Sequence, residues 1–277
     1  MPIFGQPAGA AAGWEPQQAS PRLAVTSGAD PSGVFTCDLS VSEYALLTEA
    51  GYEPLGFVAG SSMYHIGLQA GKWVQNCELD VLTMAMYSAR ELARSRMLTQ
   101  AQHLNADGIV GVQLLIQEYV WGADVMEFIA TGTAVRALPG QGVQRPPDNG
   151  PFSCDLSAQD FYRLLAAGAT PVAFVLGTCV YHIAKQSLMQ MLRQSGQNTE
   201  MPVFTQGSHE ARELALLRMQ TEASQAGASG VVGVSWSVHN YVWGEHATEF
   251  FAAGTAIRGR ADQHRPPAPA FTLGLDN

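Results

Sequence analysis

Apolar residues recur along this chain with two distinct periods, and the same order of periods appears twice. Leu82, Ala85, Ala89, Leu92, Ala93, Met97, Ala101 and Leu104 follow mostly at three- and four-residue steps, which lines one side of an α-helix with apolar groups. Leu214, Ala215, Met219, Ala223 and Ala226 repeat the stripe. Ahead of each helix, PLGFVAGSSMYHIG and PVAFVLGTCVYHIA combine β-branched and aromatic residues behind a proline that cannot donate to a ladder, so a strand begins there. After each helix, DGIVGVQLLIQEYVWG and SGVVGVSWSVHNYVWG predict a strand that opens at a glycine. VMEFIATGTAVRA and ATEFFAAGTAIRG supply its antiparallel partner, with Gly122 and Gly244 at the turns.

A shorter helix precedes all of this in each half. Ser40 followed by Glu43, and Ser157 followed by Asp160, fit a helix start in which hydroxyl and carboxylate satisfy the free N–H groups. These helices run to Gly51 and Gly168.

The halves match residue by residue. Cys37, Asp38, Leu39, Ser40, Gly60 and His65 fall 117 positions before Cys154, Asp155, Leu156, Ser157, Gly177 and His182. From ARELA onward the offset is 122, placing five extra residues of the second copy in a loop between His182 and Ala211. Between the copies, ALPGQGVQRPPDNG resists both helix and ladder. The predicted organisation is a flexible segment at 1–33, a first module at 34–138, a linker at 139–150, a second module at 151–260 and a tail at 261–277. The fold class is α+β, a tandem duplication of a short helix, a strand, a long amphipathic helix and a β-hairpin. Three strands make a small sheet with open edges, so the sheets are expected to be completed between modules or by oligomerisation.

Composition narrows the function. Charged residues make up 14% of the chain and the apolar class 47%, which describes a globular protein with a charge-poor surface. The formal charge of −9, without a dense Lys/Arg block, disfavours nucleic acid as a partner. No apolar run reaches the length of a membrane span, no lipidation cysteine ends the chain, and its start does not read as a secretory signal. The expectation is a cytoplasmic protein whose four cysteines stay as thiols. No G-x-S-x-G elbow, Walker loop, G-x-G-x-x-G turn or HExxH helix is present, so the familiar catalytic arrangements have no foothold and no enzyme is expected.

ARELALLRMQTEASQAGASGVVGVSW with EFFAAGTAIR, and ARELARSRMLTQAQHLNADGIVGVQL with EFIATGTAVR, resemble the YbjQ family, described as heavy-metal-binding domains. The match covers about the last two-thirds of each repeat and the GFVAG and AFVLG strands. The resemblance implies an α+β module that assembles into rings, commonly of five modules. A chain with two modules would then give a homo-oligomer, either a pentameric ring or a pseudo-decamer. The FTCDLS and FSCDLS stretches are additional to the family pattern.

Candidate chemistry is sparse. Cys37, His65, Cys154 and His182 are competent ligands, and soft sulfur favours zinc or monovalent copper. Against this, a cysteine beside a helix start serves as a small buried apolar group and the neighbouring aspartate as a favourable charge at the helix N-terminus. Tyr119, Trp121, Tyr241 and Trp243 stand beside the hairpin turns as candidates for self-association. Arg136 and Arg258 end equivalent strands and suit an interface, whereas Glu127 and Glu249 lie on the opposite strand face. Arg90 and Arg94, with Glu91 nearby, read most simply as a solvated helix face. The leading reading is a non-catalytic, self-assembling structural or binding protein. The alternative is zinc or copper sequestration, and a cleft enzyme is the third.

Overall fold

A computed structural model describes residues 36–65, 76–118, 125–183, 200–240 and 247–259. The first repeat comprises α1 (Val41–Glu49), β1 (Tyr52–His65), β2 (Cys77–Glu78), α2 (Asp80–His103), β3 (Gly108–Glu118) and β4 (Val125–Ala137). The second comprises β5 (Phe152–Ser153), α3 (Ala158–Ala166), β6 (Ala169–His182), α4 (Pro202–Gln225), β7 (Gly230–Asn240) and β8 (Ala247–Gly259). Both the α+β class and the repeated order follow the sequence pattern. The segments 1–33 and 261–277, the turn glycines Gly122 and Gly244, and the five-residue insertion lie outside the described residues.

The short helices start as their caps dictate. Ser40 Oγ accepts the Glu43 N–H at 3.3 Å while the Glu43 carboxylate accepts the Ser40 N–H at 3.0 Å, closing a reciprocal capping box. Ser157 Oγ accepts the Asp160 N–H at 3.2 Å. Both helices end where Gly51 and Gly168 take φ of +80° and +78°, which a residue with a Cβ reaches only under strain.

Each sheet holds four strands, and one of the four comes from the other repeat. The orders are β1-β4-β3-β5 and β2-β6-β8-β7. β5 pairs in parallel with β3, setting Phe152 opposite Gly108 and Ser153 opposite Ile109. β2 pairs antiparallel with β6, setting Cys77 opposite His182 and Glu78 opposite Tyr181. Exchanged strands thus satisfy donors and acceptors that a three-stranded sheet would leave open.

The long helices lie almost directly on the strands beneath them. A Cβ built on Gly60 would come within 2.2 Å of the Ala93 carbonyl oxygen, and one on Gly177 within 2.0 Å of that of Ala215. This is why both repeats keep glycine there. Helix α2 is covered on two sides. Ala93 and Met97 share one core cluster with Val58 and Ala130 of their own sheet and with Phe174, Leu176 and Val180 of the second sheet. Among the described residues, no helix is long and apolar enough to cross a membrane.

Because backbone rather than a flexible side chain blocks the space, Gly177→Ala and Gly60→Ala are each expected to lower stability by about 1–3 kcal/mol, read as a reduced urea midpoint with an unchanged slope.

Candidate functional site at the junction between the repeats

Arg90 and Arg94 stand one turn apart on α2, on the side that meets the second repeat. Arg90 reaches Glu249 of β8 with two parallel bonds, Nη1 to Oε1 at 2.6 Å and Nη2 to Oε2 at 2.9 Å. The side chains are 1% and 0% exposed. The guanidinium carbon lies 5.1 Å from the Phe128 ring centre and 4.5 Å from that of Phe251, so one aromatic from each repeat faces the cation. The Thr178 hydroxyl donates to Glu249 Oε1, and His239 Nδ1 stands 3.8 Å from Oε2.

Two further ion pairs cross the same junction. Arg94 Nη2 lies 2.6 Å from Glu222 Oε1 on α4 and 2.8 Å from Glu91 Oε2, while Nη1 donates to the Phe174 carbonyl. Burial works against the Arg94 charge, yet Glu222 and Glu91 raise its pKa above the ordinary range. Burial pushes the Glu222 carboxyl up, against the pull of Arg94 and of the Leu176 N–H that it accepts at 2.9 Å. Arg218 of α4 reaches back to Glu78 of β2 at 2.6 and 2.9 Å and donates to the Thr178 carbonyl at 2.8 Å. Burial of Glu78 raises its pKa, but the Arg218 bonds outweigh that and hold it below the usual carboxylate range. The Arg90–Glu249, Arg94–Glu222 and Arg218–Glu78 pairs each join one repeat to the other, and Glu91 adds a further carboxylate beside Arg94.

The solvated face expected for Arg90 and Arg94 is therefore corrected: Arg90 is buried in the junction and Arg94 partly buried beside it, each held by a carboxylate of the other repeat. The sequence carried one signal of this. Glu249 sits in ATEFFAAGTAI, a strand apolar on both faces, and a carboxylate in a doubly covered strand requires a cation.

A second contact lies at the other end. Tyr52 and Phe161 meet edge-on at 5.1 Å, and Phe152 stacks on Phe161 at 5.9 Å. Leu47, Val135, Cys154 and Ala158 complete this cluster, which draws on both repeats.

The structure spreads the candidate ligands apart. Cys154 packs in that aromatic cluster, and burial, with Asp155 beside it, pushes its thiol up to about 12. The adjoining Ser153 Oγ accepts the Phe174 N–H, while His182 lies eight residues further along β6, roughly 25 Å away at strand spacing. Cys37 and His65 repeat this separation, since the Thr36 carbonyl accepts the Phe57 N–H. The Thr133 hydroxyl donates to Asp38 and the Thr255 hydroxyl to Asp155. Among the described residues, no group of three or more His, Cys, Asp and Glu side chains could hold a metal ion. Arg136 donates to the Leu104 carbonyl, and Arg258 to those of Gly227 and Ala226, so each caps the C-terminus of its own long helix. Tyr119, Trp121, Tyr241 and Trp243 lie outside the described residues. A cleft of about 330 Å³ opens between α2, α4 and the linker, lined by Tyr87, Arg94, Asp148 and Glu222. Its arginine and glutamate are already bonded to each other.

Removing one member of the buried Arg90–Glu249 pair is expected to cost about 3–5 kcal/mol, as in Arg90→Met, while Arg90→Met with Glu249→Leu recovers most of it. A denaturant double-mutant cycle measures the coupling. The Glu78 contribution, taken as wild type minus Glu78→Gln, has the sign of a depressed carboxylate. It is fully present above the ordinary value of 4.5 and declines as pH falls below it, a trend to be read from unfolding midpoints across acid pH.

Comparison with known proteins gives this geometry a lineage. Residues 57–137 and 172–260 match the YbjQ family model, whose description reads "Putative heavy-metal-binding". The chain is 51% identical over 243 residues to the encapsulin nanocompartment protein Rv1762c of Mycobacterium tuberculosis, covering 88% of this chain and 92% of that one. The UPF0145 protein of Helicobacter hepaticus is 35% identical over 92 residues, 31% of this chain and 87% of its own. The UPF0145 protein TTHA1944 of Thermus thermophilus is 37% identical over 94 residues, 32% of this chain and 81% of its own. Two matched regions, each carrying the same strand, helix and hairpin, show that this chain belongs to the YbjQ family.

Proposed function

We propose that this protein is a non-catalytic structural component that assembles with copies of itself into a ring in the cytoplasm. The observation that carries the reading is the unequal burial of equivalent positions. Val180 is 0% exposed where β2 and α2 cover it, whereas its counterpart Met63 is 55% exposed. Phe161 is 0% exposed, and its counterpart Tyr44 is 42% exposed. Each repeat has a side that gives α2-type cover and a side that receives it, and a single chain uses one of each. The remaining two are complementary in kind, an outer α4 surface and an uncovered β1–β4 face carrying the exposed Met63, an arrangement that invites head-to-tail association.

Similarity to a protein named for an encapsulin nanocompartment supports assembly as the role. The charged groups support a structural rather than catalytic part, because the arginines and carboxylates at the junction are spent on each other. The four cysteines are free thiols, as a reducing compartment maintains them.

Light scattering at micromolar concentration is expected to give a particle several times the 29.6 kDa chain; a single-chain mass overturns the reading. Stoichiometric zinc or copper lost on Cys37→Ser with Cys154→Ser would favour sequestration instead.

A further inference from the structure

The junction inside the chain is a template for a contact outside it. Of the parts around Arg90, those needed for a second such contact recur on the surfaces that the chain leaves open. Arg212, 122 positions after Arg90, is exposed on α4. It lies 5.4 Å from the centre of the Phe250 ring, as Arg90 lies 5.1 Å from that of Phe128, the equivalent phenylalanine. The cation thus already stands over the equivalent ring of its own repeat at nearly the same distance. Glu127, the counterpart of Glu249, occupies the same face of its strand and is half-buried rather than fully buried. Ser61, the counterpart of Thr178, keeps a hydroxyl and is exposed. Ile129 stands where Phe251 stands in the second repeat.

We propose that α4 of one copy lies on the face of β1 and β4 of a second copy, with Arg212 of the first paired to Glu127 of the second and Ser61 donating to that carboxylate. This rests on the self-assembly reading and specifies its contact. The same docking brings Thr36 and Cys37 of the second copy to β7 of the first, as Ser153 and Cys154 sit on β3. There, Cys154 donates its N–H to Ile109 and accepts that of Val112 at 3.0 and 2.9 Å. It also sets Tyr44 and Val41 of the second copy against α3 of the first, as Phe161 and Ala158 sit against α1.

One difference between the repeats fixes their order. Arg94 and Glu222 have Leu216 and Gln100 as counterparts. Docking α4 on a second-repeat sheet would set Leu216 where the Glu222 of that repeat needs a cation. Docking it on a first-repeat sheet sets Leu216 against the neutral Gln100. First and second repeats therefore alternate through the assembly.

The test exploits the polarity of the contact. Arg212→Glu and Glu127→Arg each place like charges at every contact between identical copies. Each is expected to weaken association roughly a hundredfold or more and to sediment at single-chain mass with an unchanged circular dichroism spectrum. Mixed in equal amounts, the two variants present opposite charges wherever unlike copies meet and are expected to recover association above single-chain mass, while the double variant restores opposite charges at every contact and is expected to assemble fully. Single variants that keep the wild-type mass overturn the pairing while leaving assembly intact. Failure of both the mixture and the double variant to assemble does the same. A wild-type protein at single-chain mass removes the pairing and the assembly reading together.

Discussion

A guanidinium withdrawn from water is tolerable only where a carboxylate and ring faces replace its hydration, and Arg90 meets that condition solely when the two repeats are docked. Glu249 lies 159 residues away in sequence, so the bond cannot form within either repeat alone. Nearly everything else at the junction follows from seating that pair. Helix α2 must lie close enough to β6 and β8 for Arg90 to reach; the Thr178 hydroxyl must turn towards the carboxylate; and β2 must pair with β6, which delivers Glu78 to Arg218. Bidentate geometry makes the arrangement directional, since a displaced helix would leave a buried charge without a partner, a costlier state than an apolar mismatch.

Much of this architecture was legible in the chain. The doubled stripes, the serine caps and the glycines that end α1 and α3 are local features, and local sequence reports them. The open edges were legible as a deficit, because three short strands cannot satisfy their own outer ladders. What filled the deficit was not. β2 and β5 are two residues each, too short to show a period, and their pairing is set by the docking of whole repeats. The burial of the arginines escapes local sequence for a related reason. A helix buried on both sides still carries charges when each has a partner, and the partners of Arg90 and Arg94 lie on elements far along the chain. The doubly apolar strand around Glu249 was the one local trace of the arrangement.

Duplication gave two copies of one surface, and the copies have diverged where their surroundings differ. Phe161 and Tyr44, Val180 and Met63, Arg94 and Leu216 are descendants of the same positions under different demands. The covered positions hold Phe161, Val180 and the ion-paired Arg94, while Tyr44 and Met63 stand open at the equivalent places. Cys154 shows the same divergence in its burial, its thiol pushed up to about 12 by an apolar cluster that the second repeat shares with the first.

The exchange of β2 and β5 also has an arithmetic consequence. Since the repeats are joined in the direction in which they stack, a chain contributes its units two at a time. Any closed single circle built from whole chains, with both units in line, therefore contains an even number of them. Fivefold symmetry is open to it as ten units from five chains, and a circle of five units is barred without splitting a polypeptide between circles.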